Sequence, residues 1–280
     1  MKDIIIALIC KNEYDYLKEF VEYHLNLGFD KIVIADNNDT DGERYDELLK
    51  EYIDKGQVIL QDWRGQHPVQ RTFYNKLIIE RPIPYEWCAF IDTDEFVTFG
   101  KKSKFKTIRE FLESNPDVKA YKLNWQVYGD NGKIVKEEGN VVDRFPNPKE
   151  KNFHFHYKNI PENAHVKSIL RYDAIGNFVK HPHTIEPLNG ENIYSLPDGT
   201  PVDNSPFNAN LDFSIIYLRH YYTKSLEEWI TKKMGRRYAD CPYIENFKYY
   251  PLEDFFIYNI KTKSKEDFLK ETIFQLATNH

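Results

Sequence analysis

The chain has 280 residues, of which 41% are hydrophobic and 29% charged, and these proportions fit one large globular domain or a domain with an appended subdomain. Its formal net charge of -6 and isoelectric point of about 5.9 lack the basic excess of a duplex nucleic-acid binder, so nucleic acid is not an expected partner. Three scattered cysteines, Cys10, Cys88 and Cys241, are too few for a disulfide framework or a zinc site with Cys-x-x-Cys spacing.

The cysteine pattern and the apolar runs also bear on location. No run approaches the roughly 20 apolar residues that span a bilayer. The opening run from Ile4 to Ile9 passes directly into Lys11, which predicts a buried strand and not a targeting segment. We therefore expect a cytoplasmic protein, with peripheral contact at the inner membrane face left open. The sequence does not indicate an oligomeric state.

Apolar runs and helical patterns alternate through the first hundred residues, which predicts parallel strands joined by right-handed helical crossovers. Strands are expected at residues 4–9, 31–35, 58–60 and 86–91. The first helix carries Leu17, Phe20, Val21, His24 and Leu25 on one face and ends at Gly28; a second carries Leu48, Leu49 and Tyr52; a third covers residues 69–79, before Pro82 and Pro84.

The remainder of the chain has a weaker pattern, broken by Pro, Gly and Asn. A strand is expected at residues 119–128 and a helix at 225–237, with Ser225 as its N-terminal cap. The stretch 267–277 predicts a further helix that packs on the core or faces a partner, and core packing is favoured.

Polar residues follow the ends of the predicted strands. Asn12, Glu13, Asp36 and Asp92 occupy these positions, and ligands of open α/β sheets bind outside the carboxyl ends of the strands. Asn12 and Glu13 either hold a nucleotide or cap the first helix. Asp36 either accepts a hydrogen bond from a base or caps a turn.

Asp92-Thr93-Asp94-Glu95 follows the strand expected at 86–91, so a rigid backbone presents its carboxylates at the sheet edge. This arrangement suits Mg2+ or Mn2+ bridging a diphosphate. The other interpretation is an acidic turn. Asp39-Thr40-Asp41 has the same spacing, but it precedes Gly42 and predicts a turn.

The segment Trp87 to Phe96, with Asp92-Thr93-Asp94-Glu95-Phe96 at its end, resembles the DxDEF signature of glycosyltransferases of the family 92 type and their family 2 relatives. The resemblance extends in order from about residue 9 to about residue 235. It includes Lys11-Asn12-Glu13, Glu22-Tyr23-His24, Asp36-Asn37-Asn38, Asp41-Gly42, Trp125 with Gly129, Arg144-Phe145 and the segment from His220 to Ser225.

This resemblance implies an α/β GT-A (Rossmann-like) nucleotide-binding fold with a mixed central sheet and a C-terminal helical segment. Residues 1–100 would form the nucleotide-sugar-binding half, 101–237 the acceptor-binding half and 238–280 a C-terminal helical extension. It also implies Mn2+ or Mg2+, with Asp94 as a direct ligand, Asp92 facing the ribose or a metal-bound water, and His220 completing the site. Without the resemblance, His220 would be interpreted as a core histidine.

The expected donor is a nucleotide diphosphate sugar, and the resemblance favours uridine because Asp36 could accept the N3 hydrogen of uracil. Gln70 and Arg71 begin the third helix, where they reach the base or diphosphate or form a solvated face. Basic residues that could bind phosphate are Lys167, Arg171, Lys224 and Lys232.

Transfer to a glycan or lipid-linked acceptor needs a base for the acceptor hydroxyl, and inversion is the favoured course. Candidates for the base are His183, Glu186 and Asp173. Three other functional classes stay as alternatives. A zinc hydrolase would use His181, His183 and His220; a sugar-binding module would use Trp63, Trp125 and Tyr128; a nucleotidyltransferase would need a Gly-rich loop where Lys11-Asn12-Glu13 stands.

Overall fold

A computed structural model describes residues 2–66, 69–80, 83–176, 179, 181–234 and 250–259. The predictions made for Pro82, for Cys241, for residues 235–237 and for the helix at 267–277 lie outside the described residues. Of the expected C-terminal extension, the structure describes residues 250–259. Within the described residues, no helix is both long enough and apolar enough to cross a membrane.

The strands lie in a mixed sheet. They are β1 (Asp3–Cys10), β2 (Lys31–Asp36), β3 (Val58–Asp62), β4 (Tyr85–Phe90), β5 (Glu95–Phe99), β6 (Ala120–Tyr128), β7 (Val166–Arg171), β8 (Tyr194–Ser195) and β9 (Ile216–Tyr221). Their spatial order is β3-β2-β1-β4-β7-β6-β9-β5, with β8 paired to β6. Strands β1 to β4 are mutually parallel, whereas β7 runs antiparallel to β4 and β9 antiparallel to β5. The predicted α/β class with a mixed sheet is confirmed.

The helices are mostly short. They are α1 (Tyr14–Asn26), α2 (Tyr45–Leu48), α3 (Lys50–Asp54), α4 (Gln70–Glu80), α5 (Ile108–Glu113), α6 (Val141–Arg144), α7 (Leu226–Glu228) and α8 (Leu252–Asn259). Single 3-10 turns occupy Glu162–Ala164, Tyr172–Ala174 and Leu188–Gly190, and a π-helical turn occupies Trp229–Lys233.

Local sequence pattern predicted the first half of this architecture. Strands β1 to β4 and helices α1 and α4 lie within one or two residues of their expected bounds. Gly28 has a φ of +100° directly after the C-cap of α1, as a terminating glycine requires. The second expected helix is divided into α2 and α3, because fully buried Leu49 leaves helical geometry with a φ of -104° and a ψ of 12°.

The later segments differ from the expectations in two places. Strand β5 follows Asp94 directly, where the sequence predicted no strand; its pairing with the distant strand β9 stabilises it. The helix expected from Ser225 has one α-helical turn, α7, and then the π-helical turn to Lys233, where Met234 takes an extended ψ of 133°. Ser225 does cap α7, with Glu228 completing a capping box.

Apolar side chains cover both faces of the sheet, because alternate residues of a strand point to opposite sides. On β1, Ile4, Ile6 and Leu8 pack in one layer with Leu17 and Phe20 of α1, whereas Ile5 and Ala7 pack in the other with Phe73 and Leu77 of α4. The two layers hold the backbone of the parallel strands rigidly, and their carboxyl ends reach a common edge.

A buried ion pair joins two segments that are distant in sequence, α6 and α7. The Arg144 guanidinium donates to both oxygens of Glu228 at 3.0 and 2.8 Å, and both side chains are almost fully buried. Tyr16 Oη and Ser225 Oγ donate to the same carboxylate at 2.9 and 2.6 Å. Three side chains, from α1, α6 and the N-cap of α7, therefore meet at one carboxylate, which orients the segment after β9.

Replacing one partner should leave the other charge buried without compensation. We expect Arg144→Met to lower the free energy of unfolding by about 3–5 kcal/mol, measured by urea denaturation at neutral pH. Arg44→Met removes an exposed guanidinium that pairs with Asp46 and should give no measurable change. An Arg144→Met variant as stable as the Arg44→Met control would contradict this role.

Acid should weaken the same pair. Burial raises the pKa of Glu228, but hydrogen bonds from Arg144 and Ser225 outweigh it and lower the pKa from 4.5 to about 2. Because the folded-state pKa is depressed, the stabilisation is complete above about pH 4.5 and is lost as pH falls toward 2. Glu228→Gln should therefore be less stable than wild type by on the order of 3 kcal/mol at pH 7, and the gap should narrow at pH 2–3 in urea titrations. A gap independent of pH would contradict the assignment.

Candidate functional site

The carboxyl ends of β1, β2 and β4 meet at one edge of the sheet. Cys10 lies opposite Asp36 in the parallel register of β1 and β2. On the other side of β1, Cys10 Sγ lies 3.3 Å from Thr93 Oγ1, within the acidic motif. The strand register therefore brings Asp36 and the Asp92 motif to the same edge, as the sequence predicted.

Strand pairing places His220 beside Asp94. Glu95 of β5 lies opposite His220 of β9, and the backbone N–H of Tyr221 donates to the Asp94 carbonyl at 2.8 Å. His220 Nε2 is 3.6 Å from Asp94 Oδ1. Asp94 of the Asp92 motif and His220, distant in sequence, are neighbours in the fold.

Asp94 is an ionised carboxylate in a largely enclosed position. Burial raises its pKa, but the charges of His220, Lys233 and Lys224 hold that pKa well below its ordinary value. Lys233 Nζ lies 3.5 Å from Asp94 Oδ2, opposite the oxygen that faces His220. Asp94 therefore presents a full negative charge between two cationic or potentially cationic side chains.

Asp92 has both carboxylate oxygens bonded within the chain. Lys167 Nζ donates to Oδ2 at 2.7 Å and Gln70 Nε2 donates to Oδ1 at 3.1 Å. Both donors were expected to bind the nucleotide donor, and in this structure both hold Asp92. Lys167 is almost fully buried, and although burial lowers its pKa, Asp92 and Glu95 raise it further, so the ammonium stays charged.

Glu95 lies beneath this pair. It is fully buried, its Oε2 accepts the Asp92 backbone N–H at 2.9 Å, and its Oε1 is 3.8 Å from Lys167 Nζ. Burial raises the pKa of Glu95 well above its ordinary value, against the opposing effect of Lys167. Glu95 and Lys167 together fix the backbone and side chain of Asp92.

The positions of Asp94 and His220 fit two ligands of a divalent cation. Oxygen and nitrogen ligands at about 2.0–2.2 Å lie roughly 3 Å apart when they are adjacent in an octahedral shell, and the two atoms here are 3.6 Å apart. Phosphate and water oxygens could supply the remaining ligands. His220 Nδ1 is buried without a hydrogen-bond partner in the described part of the chain.

The expected three-residue metal set of Asp92, Asp94 and His220 is corrected. No group of three or more His, Cys, Asp or Glu side chains in the described ranges is close enough to hold a metal ion. Lys167 and Gln70 hold the Asp92 carboxylate, whereas Asp94 and His220 lie close enough to act as two ligands of one ion.

Asp36 is buried and already hydrogen-bonded. Arg64 Nη1 donates to its Oδ2 at 2.9 Å, and the backbone and side-chain amides of Asn38 donate to its Oδ1 at 3.1 and 2.8 Å. Arg64 also donates to the carbonyls of Gly42 and Glu43. The carboxylate thus orders the loop after β2, which matches the turn interpretation of Asp36 and leaves one lone-pair direction of Oδ2 for a base.

Asn12 and Glu13 form the turn into α1. Asn12 has a φ of +59°, a left-handed conformation, and its backbone N–H donates to Asn38 Oδ1 at 2.9 Å. The Glu13 backbone N–H donates to Tyr45 Oη, and the Glu13 side chain makes no capping hydrogen bond. The suggestion that these side chains cap the first helix is therefore wrong for Glu13, the N-cap residue.

Two further basic candidates lie in different surroundings. Arg71 is exposed on α4. Lys224 has a left-handed φ of +54°, and its Nζ lies 4.3 Å from the centre of the Tyr16 ring. Its charge lowers the pKa of Asp94, so of these two it is Lys224 that belongs to the electrostatic surroundings of the motif.

Three imidazoles surround Trp125 of β6. Its ring centre is 4.6 Å from His165, 4.1 Å from His220 and 5.1 Å from His183. Trp63, Trp125 and Tyr128 are all buried, at 7%, 8% and 3% exposure. None of them is the exposed platform that a non-catalytic sugar-binding module would need. The indole instead packs against His220 and orients its ring.

His183 lies beside the acidic motif. Its carbonyl accepts a hydrogen bond from Ser168 Oγ, next to Lys167, and its Nδ1 is buried without a partner in the described ranges. Burial and the Lys167 charge hold its pKa well below the ordinary value, so the ring is neutral. His181 is exposed. The trio of His181, His183 and His220 does not form a metal cluster, so the geometry does not support the zinc hydrolase alternative.

The other base candidates lie elsewhere. In the antiparallel register of β4 and β7, Ser168 faces Phe90 near the motif, whereas Arg171 faces Trp87 toward the opposite edge of the sheet. Asp173 follows Arg171 and pairs with it at 3.2 Å, so its assignment as the base is corrected. Glu186 is half-buried, and its carbonyl accepts the Gly176 N–H.

The sequence did not indicate three residues that contact the acidic residues at the sheet edge. These are Arg64, which bonds Asp36, Glu95, which bonds the Asp92 backbone, and Lys233, which lies against Asp94. Arg64 had a detectable signal, since it follows the end of β3, beside Asp36 on β2. Glu95 was within the recognised motif, but its burial depends on β9. Lys233 had no local signal, because its position follows from a π-helical turn.

Comparison with solved structures gives distant likenesses. Staphylococcus aureus TarS residues 1–349 in complex with UDP-GlcNAc is 11% identical, with a TM-score of 0.41, over 81% of this chain and 60% of that chain. The mannosyltransferase PcManGT from Pyrobaculum calidifontis, in complex with GDP-Man and Mn2+, is 10% identical, with a TM-score of 0.32, over 49% of this chain and 36% of that chain.

Sequence comparison gives nearer relatives. A family 92 protein of Ricinus communis is 30% identical over 50% of this chain and 25% of its own length, and one of Oryza sativa subsp. japonica is 24% identical over 67% and 31%. The chain thus spans less than a third of the length of these curated relatives. The sequence profile of Glycosyltransferase family 92 matches residues 9–268, nearly the whole chain. The match is to a glycosyltransferase family, and the observed sheet has the mixed α/β organisation that the sequence predicted. The chain belongs to glycosyltransferase family 92.

Proposed function

We propose that this protein is a metal-dependent hexosyltransferase that moves a sugar from a nucleoside diphosphate donor to a hydroxyl of a glycan or lipid-linked acceptor. The observation that carries the proposal is the pairing of Asp94 with His220 at the carboxyl edge of the sheet, in a chain of glycosyltransferase family 92. A lipid-linked acceptor would bring the protein to the inner face of the membrane. We therefore propose that the protein is located in the cytoplasm.

The charges around Asp94 support a diphosphate donor. Lys233 and Lys224 both act on this carboxylate, so positive charge is concentrated beside the pair that would hold Mn2+ or Mg2+. When bound, the metal would supply charge stabilisation to the departing diphosphate. Asp94 and His220 would hold it, and the lysines would add to the field that the phosphates meet.

A uridine donor is favoured because of Asp36. Its carboxylate accepts hydrogen bonds from Arg64 and Asn38, yet Oδ2 retains capacity for one further donor such as the N3–H of uracil. Asp36 lies across β1 from the acidic motif, which separates a base site from a phosphate site along the same edge. That order matches a nucleoside diphosphate laid across the ends of β2, β1 and β4.

His183 is the base that we favour for an inverting transfer. It lies beside Lys167 near the motif, whereas Asp173 is placed toward the opposite edge of the sheet. Burial and the Lys167 charge lower its pKa, which leaves the ring unprotonated at neutral pH but also weakens it as a base, so the assignment rests on its position. Its buried Nδ1 has no hydrogen-bond partner among the described residues.

The first test is binding of nucleotides in thermal-shift assays with UDP, GDP, CMP and UDP-sugars, each with and without Mn2+. We expect UDP with Mn2+ to raise the melting temperature of the wild type, since a ligand of the folded state stabilises it. Asp94→Asn should abolish the Mn2+-dependent part of this shift and lower sugar-transfer or UDP-sugar hydrolysis rates by about 100-fold or more.

Asp41→Asn is the matched control. Asp41 belongs to the other Asp-Thr-Asp sequence, at residues 39–41, and lies exposed in the loop after β2, so its substitution should leave both readouts unchanged. Absence of a response to every nucleotide with Mn2+ present would refute the proposed donor. Equal effects of the two substitutions would refute the role of Asp94.

A further inference from the structure

Lys233 occupies a preformed cation site beside Asp94. Its Nζ lies 3.9 Å from the centre of the Tyr222 ring, 5.1 Å from that of Tyr250 and 5.6 Å from that of Trp229. It also donates to the Tyr222 carbonyl at 2.8 Å. Three aromatic rings and a carbonyl therefore surround the ammonium, and ring faces attract a cation through their quadrupole.

The two oxygens of Asp94 face different partners. Oδ1 lies toward His220 Nε2 at 3.6 Å, and Oδ2 lies toward Lys233 Nζ at 3.5 Å. Lys233 thus does not take the place between Asp94 and His220 where a metal would bind. It neutralises the same carboxylate from the other side, so a metal ion at Asp94 would meet the positive charge of Lys233.

The backbone that carries Lys233 is unusual and well anchored. Trp229–Lys233 forms a π-helical turn. Such turns are rare in proteins overall, and those that occur are often found at functional sites. The residue before this turn is Glu228, which Arg144, Tyr16 and Ser225 bind. The Met234 N–H closes the turn by donating to the Trp229 carbonyl at 2.7 Å.

We propose that Lys233 couples metal binding to donor binding. Before the donor arrives, the Lys233 charge weakens metal binding at Asp94; when metal and donor are present together, the ammonium bonds a phosphate oxygen of the donor. This inference rests on the proposed function, because it takes the ligand to be a nucleoside diphosphate. In this proposal a single side chain, that of Lys233, makes binding of the metal depend on binding of the donor.

The signs of the two effects follow from charge. Lys233 and a divalent cation are both positive, so they repel each other across a few ångströms, and because the Lys233 and Asp94 side chains are only 17% and 19% exposed, water screens this repulsion incompletely. The diphosphate reverses this, since its negative oxygens attract the metal ion and accept charge-assisted hydrogen bonds from the Lys233 ammonium. Removing the Lys233 charge should thus strengthen binding of the metal alone and weaken binding of the nucleotide.

The experiment is a pair of calorimetric titrations of the whole chain. Mn2+ alone is titrated first, and UDP is titrated second at saturating Mn2+. For Lys233→Met we expect Mn2+ alone to bind roughly tenfold more tightly and UDP to bind about 10–100-fold more weakly. Lys233→Arg keeps the charge and should stay within about threefold of wild type in both titrations.

Two further variants complete the test. Lys233→Gln removes the charge but retains a donor for the Tyr222 carbonyl, so it serves if Lys233→Met does not fold. Lys50→Met is the control for loss of a lysine charge, because Lys50 is exposed and pairs with Asp54 away from the sheet edge. The control should bind Mn2+ and UDP as wild type does.

The outcomes separate this inference from the proposed function. If the wild type binds Mn2+ and UDP but the uncharged variants leave both constants unchanged, or weaken Mn2+ binding, the coupling by Lys233 is refuted and the proposed function stands. If the wild type binds Mn2+ without binding any nucleotide, the proposed function fails and this inference fails with it. Opposite changes in the two constants support the coupling.

Discussion

The backbone N–H of Tyr221 donates to the carbonyl of Asp94, and from that point β9 runs antiparallel to β5 with His220 opposite Glu95. Without this pairing the acidic motif would end the parallel half of the sheet as a polar turn. With it, a strand from the far end of the chain delivers an imidazole to Asp94. The same pairing buries Glu95, which receives the Asp92 N–H and so shapes the motif from beneath.

Carboxylates gathered at one sheet edge would repel one another unless cations accompanied them. The protein neutralises each of them separately. Arg64 bonds Asp36, Lys167 bonds Asp92, and Lys233 lies against Asp94. Asp36 and Asp92 are thereby fixed in place, whereas Asp94 keeps one oxygen directed at His220. Under the proposed function, this difference makes Asp94, and not Asp92, the carboxylate that would receive a metal together with a donor phosphate.

The segment after β9 links stability to the site. Glu228 gathers hydrogen bonds from Tyr16, Arg144 and Ser225, and the π-helical turn that begins with the next residue carries Lys233 to Asp94. A buried ion pair of this kind contributes little net stabilisation over an apolar replacement, but it specifies one arrangement of the groups that meet there. The Arg144–Glu228 ion pair therefore orients the segment that follows β9.

The sequence by itself determined the parallel strands, helices α1 and α4 and the position of the acidic motif, because strand and helix periodicities depend on neighbours a few positions away. It also singled out Asp94 and His220, through resemblance to a family. Only the tertiary structure decided strand β5, the placement of Asp173 toward the opposite edge, and the partners of Asp92 and Asp94. These features rest on the register between strands far apart in the chain and on which buried charge finds a partner, and both are set by packing of the whole fold, which no local pattern encodes.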